Sequence, residues 1–216
     1  MRLKSFAPLA PIAFAALLLS SGAAQAGLTV YTSQASFLSA VSNAGTDSFD
    51  DLDYLNPLET PQSRLAGSHG YTASVGPLSG FFPASDDGID VWLASNNRTD
   101  TITFSGFGSG VSAIGGLFFG SDIFGLSTAA ASITISATDA DGTVTQVLLN
   151  PTTNSFLGFV STGGLSSLTV SVDQAGVWPT INNLTLAAAV PEPHTYALML
   201  GGLGALGWVA RRRQRG

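Results

Sequence analysis

The sequence predicts an all-β fold over residues 27–189, an antiparallel, jelly-roll-like β-sandwich with one short N-terminal helix. Three observations predict it. About ten short segments are rich in β-branched and aromatic residues, the composition of pleated, half-buried strands. Turns of Gly, Asn, Asp and Ser punctuate them at short intervals. Several segments alternate apolar and polar residues with period two, as Leu168, Val170 and Val172 do, and as Leu184 and Leu186 do. A β-solenoid is the other architecture such strands build, but no fixed short repeat supports it.

The chain divides into residues 1–26, 27–189 and 190–216. Within the middle part, Gly27 to Tyr31 is a short opening strand. Ser33 can N-cap a helix that places Phe37, Leu38 and Val41 on one face, with Gly45 ending it. Thr46 to Leu52 reads as a strand entering an acidic turn. Asn56 to Gly70, with Pro57, Pro61, Gly67 and Gly70, reads as a long surface loop. Strands follow at Tyr71 to Val75, Phe81 to Pro83, Asp90 to Ala94 and Asp100 to Ser105; Ile102 and Phe104 share a face in the last. Val111 to Phe119 contains Gly115-Gly116, which suggests a bulge or a close backbone approach. Ala131 to Thr138 and Thr143 to Leu149 flank Asp139-Ala140-Asp141-Gly142, the clearest hairpin signal in the chain. Ser155 to Val160, Ser166 to Val172 and Thr180 to Ala187 complete the set.

The two ends read as processing segments. Arg2 and Lys4 precede an apolar run from Phe6 to Leu19, and Ala24-Gln25-Ala26 supplies the small residues of a signal-peptidase site. Cleavage is expected between Ala26 and Gly27, so the chain is expected to be exported. At the other end, Pro191-Glu192-Pro193 is a stiff, non-helical triplet. Thr195 to Ala210 is nearly all apolar or small, and Arg211, Arg212, Arg213 and Arg215 close the chain. About 15 helical residues at 1.5 Å rise reach roughly 22 Å, a marginal transmembrane span against a hydrocarbon core of ~30 Å. The arginines act as a membrane stop and stay cytoplasmic, which leaves the body outside.

That order of parts resembles the PEP-CTERM sorting signal. The resemblance is confined to Val190 to Gly216. It implies that an exosortase, a membrane-embedded cysteine transpeptidase, recognises Pro191, Glu192 and Pro193 and processes the tail. It further implies a Gram-negative bacterium that makes extracellular polysaccharide, often in a biofilm. Exosortase and signal peptidase are then the processing partners, and the C-terminal helix is a membrane contact before processing.

Charge and composition bound the body's chemistry. Residues 27–189 carry only Arg64 and Arg98 against thirteen carboxylates, a formal charge of −11. Such a surface has almost nothing to neutralise phosphates, so no nucleic acid is expected as partner. The chain has no cysteine, which excludes disulfides and thiolate metal sites. His69 is the body's one histidine and Glu59 its one glutamate. Zinc lacks ligands, no Gly-x-Ser-x-Gly elbow accompanies His69, and a Glu–Glu hydrolytic pair is impossible.

Two features remain. Asp86, Asp87 and Asp90 surround a glycine turn with hard oxygen ligands that suit Ca2+, though an ordinary solvated acidic turn is the simpler reading; Asp50-Asp51-x-Asp53 is similar. Tyr71, Phe81, Phe82, Trp92 and Trp178 are the aromatics that could include an exposed platform, though core packing claims most such rings; Trp92 lies in an alternating strand and is expected in the core. Trp178, followed by Pro179 between two strands, is the candidate for an exposed sugar-stacking face. The expected function is a non-enzymatic, exported surface or matrix protein associated with exopolysaccharide. A carbohydrate-binding module of the same fold is the alternative, and a secreted hydrolase using Glu59 or His69 with an aspartate is the third.

Overall fold

The computed structural model describes residues 27–76, 78–190, 201–203 and 211. The opening segment is β1 (Leu28–Tyr31), α1 (Gln34–Ser39) and β2 (Val41–Asp47). Then come β3 (Gln62–Ala66), β4 (His69–Ser74), β5 (Phe81–Ala84), β6 (Trp92–Ser95), β7 (Ile102–Ser105) and β8 (Ala113–Ser121). The remainder is β9 (Ser127–Thr128), β10 (Ser132–Asp139), β11 (Thr143–Leu149), β12 (Phe156–Ser161), β13 (Leu165–Ser171) and β14 (Trp178–Ala189). All pairings are antiparallel.

Two sheets result. One has the order β1-β12-β8-β14-β6-β5, with β2 also on β14 and β9 on β8; the other runs β11-β10-β13-β7-β4-β3. Their inner faces share one core. Ile133, Ile135, Leu168, Val170, Ile102 and Phe104 from the second sheet meet Ile114, Phe118, Leu157, Phe159, Ile181 and Leu186 from the first. The second sheet has one wet face, and β10 shows it as strict alternation of buried and half-buried residues. The first sheet is covered on both faces, so β6 and β12 are buried throughout.

Two small clusters cover its outer face. At one end α1 lays Phe37 against Val41, Ala113, Phe156 and Ala187. Phe37 fits because Gly158 beneath it has no side chain; a Cβ there would lie 2.5 Å from the Phe37 ring. At the other end Ala84, Trp92 and Phe119 pack together, and Trp92 Nε1 donates to Gly125 O at 3.0 Å.

The strand β14 carries the centre of this sheet. It pairs with β8 on one side, and on the other with β6 through Thr180 and Ile181, then with β2 through residues 184–189. The register shifts between Asn182 and Thr185, where Asn183 adopts φ 52. The bulge thus sits where β14 changes neighbour. Gly115 and Gly116 face it from β8, but the irregular residues are on β14.

Three expectations need correction. The helix follows Ser33, whose Oγ accepts from Ser36 N, but it ends at Ser39 with Ala40 as C-cap. Val41 already belongs to β2, Leu38 is exposed, and only Phe37 of the helix is buried. Gly45 lies inside β2 rather than ending a helix. There the backbone of the Ala66 turn approaches so closely that a Cβ would meet Ala66 O at 2.2 Å. Finally, the segment 56–70 is not a structureless loop. Leu58 bridges to Phe81, and β3 and β4 form a hairpin with Ala66 opposite His69. The segments expected as signal peptide (1–26) and as membrane span (195–210) fall outside the described residues but for 201–203. Among the described residues no helix is long and apolar enough to cross a membrane.

Candidate functional site

The outer face of the β14 sheet forms a cleft at the end where β14 begins. Cross-strand register builds its floor: Phe82 lies opposite Ala94, Ala94 opposite Thr180, Thr180 opposite Phe119, and Trp178 opposite Ser121. The segment after β8 forms the wall, with Asp122, Ile123 and Gly125. The cavity measures about 260 Å³. Phe82 and Trp178 both line it and both are half-buried. Asn96 stands exposed on the rim. Asp122 Oδ1 accepts from Phe124 N at 2.8 Å and from Leu126 N at 3.0 Å, which fixes the wall's turn. Ser121 is committed below, its Oγ 2.8 Å from Thr180 Oγ1.

The acidic turn lies beside this cleft, and its three carboxylates point to separate partners. Asp86 accepts from Ser127 N and Ser127 Oγ at 2.8 and 2.5 Å, which ties the turn to β9. Asp87 Oδ1 caps the turn itself through Ile89 N, Asp90 N and Ser85 Oγ. Those backbone bonds, Ile89 first, hold its pKa below the ordinary carboxylate value. Asp90 accepts from Asn182 Nδ2 at 2.7 Å, at the β14 bulge. In the other cluster Asp50 receives Val91 N, Asp51 pairs with Arg64, and Asp53 receives Asn56. Among the described residues no three His, Cys, Asp or Glu side chains converge as a metal ion would require. Each carboxylate is explained by a turn or cross-link it completes.

A buried polar network occupies the junction of β2, β3 and β4. Arg64 donates through Nε and Nη2 to both oxygens of Asp47, each at 2.7 Å, and through Nη2 to Asp51 at 2.6 Å. Tyr71 OH donates to Asp47 Oδ2 at 2.7 Å, and Phe49 N to Asp47 Oδ1 at 3.0 Å. The guanidinium also lies 5.3 Å from the centre of the Phe49 ring. Burial opposes the charge on Arg64, but bonds to Asp47 and Asp51 outweigh it and raise its pKa. Burial, then the Asp47 charge, raises the Tyr71 phenol. This network is structural: it shares its charge inward. His69, which falls in the expected 56–70 surface loop, is buried in β4 instead; its Nε2 lies 2.6 Å from Asn43 O.

Three carboxylates make the fold acid-sensitive. The Arg64 hydrogen bond depresses the Asp51 pKa. Burial opposes ionisation of Asp139, but bonds from Ser161 Oγ, Asp141 N and Gly142 N prevail and depress it too. Asp87 is depressed as described. A depressed folded-state pKa means that the unfolded chain binds protons first, so stability is fully present above pH 3.8 and is lost as pH falls below it. The melting temperature should therefore hold level from pH 7 to near 4 and then fall, and Asp139→Asn should make that fall shallower. A melting temperature constant to pH 2.5 would contradict this.

The remaining candidate residues lie at the ends. Gly27 is exposed and immediately precedes β1; Ala24 and Ala26 lie outside the described residues. So do Pro191, Glu192, Pro193, Arg212 and Arg213, while Arg211 is exposed. The structure does show how the tail leaves the domain. Ala189 N donates to Ser112 Oγ at 2.7 Å and Val190 N to Ala40 O at 3.1 Å, so the body grips the chain up to the residue before Pro191.

Residues 189–214 match the family model of the PEP-CTERM protein-sorting motif. The chain carries a PEP-CTERM sorting signal. The match covers the tail alone, and no curated protein matches the chain. The PEP-CTERM motif implies an exported protein whose tail an exosortase processes, and it overlaps the last residue of β14.

Sequence reasoning set Trp178 between two strands, whereas it is the half-buried first residue of β14; it named Phe82 among the platform aromatics but not Asn96 or Asp122. Asn96 and Asp122 carry no local signal; the sheet order alone brings them to Trp178.

Proposed function

We propose that this protein is a non-enzymatic surface or matrix component of a Gram-negative bacterium, delivered through exosortase processing into the extracellular polysaccharide layer. The observation that carries the reading is the PEP-CTERM motif directly abutting a folded, strongly acidic β-domain. The expected signal peptide would bring the domain across the inner membrane, and the tail would hold it there until processing. The positions of the two residues a hydrolase would need also support a non-catalytic role. His69 is buried with its ring against Asn43, and Glu59 is exposed ahead of β3.

The test is fractionation in an exosortase-bearing host and in the same host lacking that enzyme. With exosortase, a shortened form should leave the inner membrane and co-fractionate with extracellular polysaccharide. Without it, the longer form should stay in the inner membrane. The same mass and location in both hosts would overturn the proposal.

A further inference from the structure

We propose that the cleft between β5, β6, β14 and the segment after β8 binds an uncharged saccharide unit of a polysaccharide, with Trp178 as its stacking platform. This goes beyond the sorting assignment, and its test does not depend on processing.

Four observations carry it. Trp178 and Phe82 are half-buried on one sheet face and line the same cavity, so each is anchored by packing and remains partly accessible. Such rings meet the apolar C–H face of a sugar at little entropic cost, because their rotamers are already fixed. The rim supplies groups that hydroxyls need. Asn96 is exposed and its amide has no partner among the described residues; Asp122 Oδ1 is taken by backbone, and Oδ2 is not. At about 260 Å³ the cavity lies just below the range of roughly 300–1,000 Å³ typical of drug-sized ligands, a size for one or two sugar rings rather than a peptide segment.

Charge selects among polymers. The cleft is lined by no cation, its one ionisable group is Asp122, and the body carries −11. A polyuronate or sulfated chain would be repelled, whereas a neutral chain meets no such penalty. Position agrees. The cleft is at the start of β14 and the sorting tail leaves from its end, twelve residues on. At ~3.3 Å per residue this separates them by about 35 Å, so the cleft lies clear of the point where the tail leaves the domain.

The experiment is affinity electrophoresis of the full chain, purified in a sugar-free polyoxyethylene detergent, through gels containing dextran, galactomannan or alginate. At least one neutral polymer should retard the protein and alginate should not. Trp178→Ala should weaken the retardation about tenfold, the usual effect of truncating a central aromatic anchor, and Trp178→Phe should restore much of it. Asn96→Ala, at an exposed position, keeps the test valid if Trp178→Ala fails to fold, and should weaken retardation severalfold with the melting temperature unchanged. No retardation by either neutral polymer, retardation by alginate alone, or retardation indifferent to Asn96→Ala and to a folded Trp178→Ala would overturn the proposal.

Discussion

Replacing Pro191, Glu192 and Pro193 together with alanine should leave the full-length chain in the inner membrane while the domain melts as before. The expected effect is all or none. The triplet lies within the matched sorting motif and follows Val190, whose N donates to Ala40 O. Among the described residues no core cluster includes one past Ala189, so the domain is expected to fold as before. Three alanines also remove the fixed φ that the two prolines impose on the triplet, the stiffness the recognition step is expected to use. Immunoblots of membrane and extracellular fractions would check this; normal shortening of the variant would remove the triplet from the recognition step.

Replacing Arg64 with methionine should destabilise the domain by about 3 kcal/mol or more, because it strands a buried carboxylate. The Asp47 side chain is only 4% exposed, and Arg64 meets both of its oxygens. Methionine keeps an apolar stem of similar length, so the substitution removes mainly the charged head that bonds Asp47 and lies over Phe49. For a domain of this size each kcal/mol shifts melting by about 2–4 °C, so the melting temperature should fall by roughly 6–12 °C. Adding Asp47→Asn should recover at least half of that, since the amide oxygen still accepts from Tyr71 or Phe49 and no charge remains buried. If Arg64→Met melts within 2 °C of the parent, about the smallest shift expected for 1 kcal/mol, the network contributes little and the hairpin is held by its strands alone.

The parts of the fold that were legible are those that short-range chemistry dictates. Asp139-Ala140-Asp141-Gly142 forms its turn through Asp139's own carboxylate, so β10 and β11 followed directly from the sequence. Ser33 caps α1 by the same local logic. The β3–β4 hairpin was missed because β3 is an edge strand with polar residues, and nearby prolines and glycines mimic a loop. Its signal was Gly67-Ser68, a two-residue turn whose glycine sits at φ 59, between Ala66 and His69. The helix was drawn too long because Val41 continues its apolar spacing, yet β14 recruits Val41 as a strand residue. Tertiary pairing overrode the periodicity.

The candidate site was legible only in part for the same reason. Trp178 stands out because Pro179 follows it at a strand entrance. Phe82, Asn96 and Asp122 reach it through sheet order, across separations no local pattern encodes. The acidic turn read as a plain turn first and as a metal loop second. Its partners, Ser127 and Asn182, lie 41 and 92 residues away from Asp86 and Asp90.

The position of β14 sets an order of events during export. It is the last strand to be translocated, and it separates β8 and β12 on one side from β2, β5 and β6 on the other. Until it arrives, half of the sandwich has no common backbone, and Phe37 has no complete surface to cover. The fold should therefore close only when residue 189 has crossed, and Val190 seals it against Ala40 one residue ahead of the triplet. Completion of the domain and arrival of its sorting signal at the membrane face then coincide. The sorting motif thus begins on the very strand whose arrival completes the sheet.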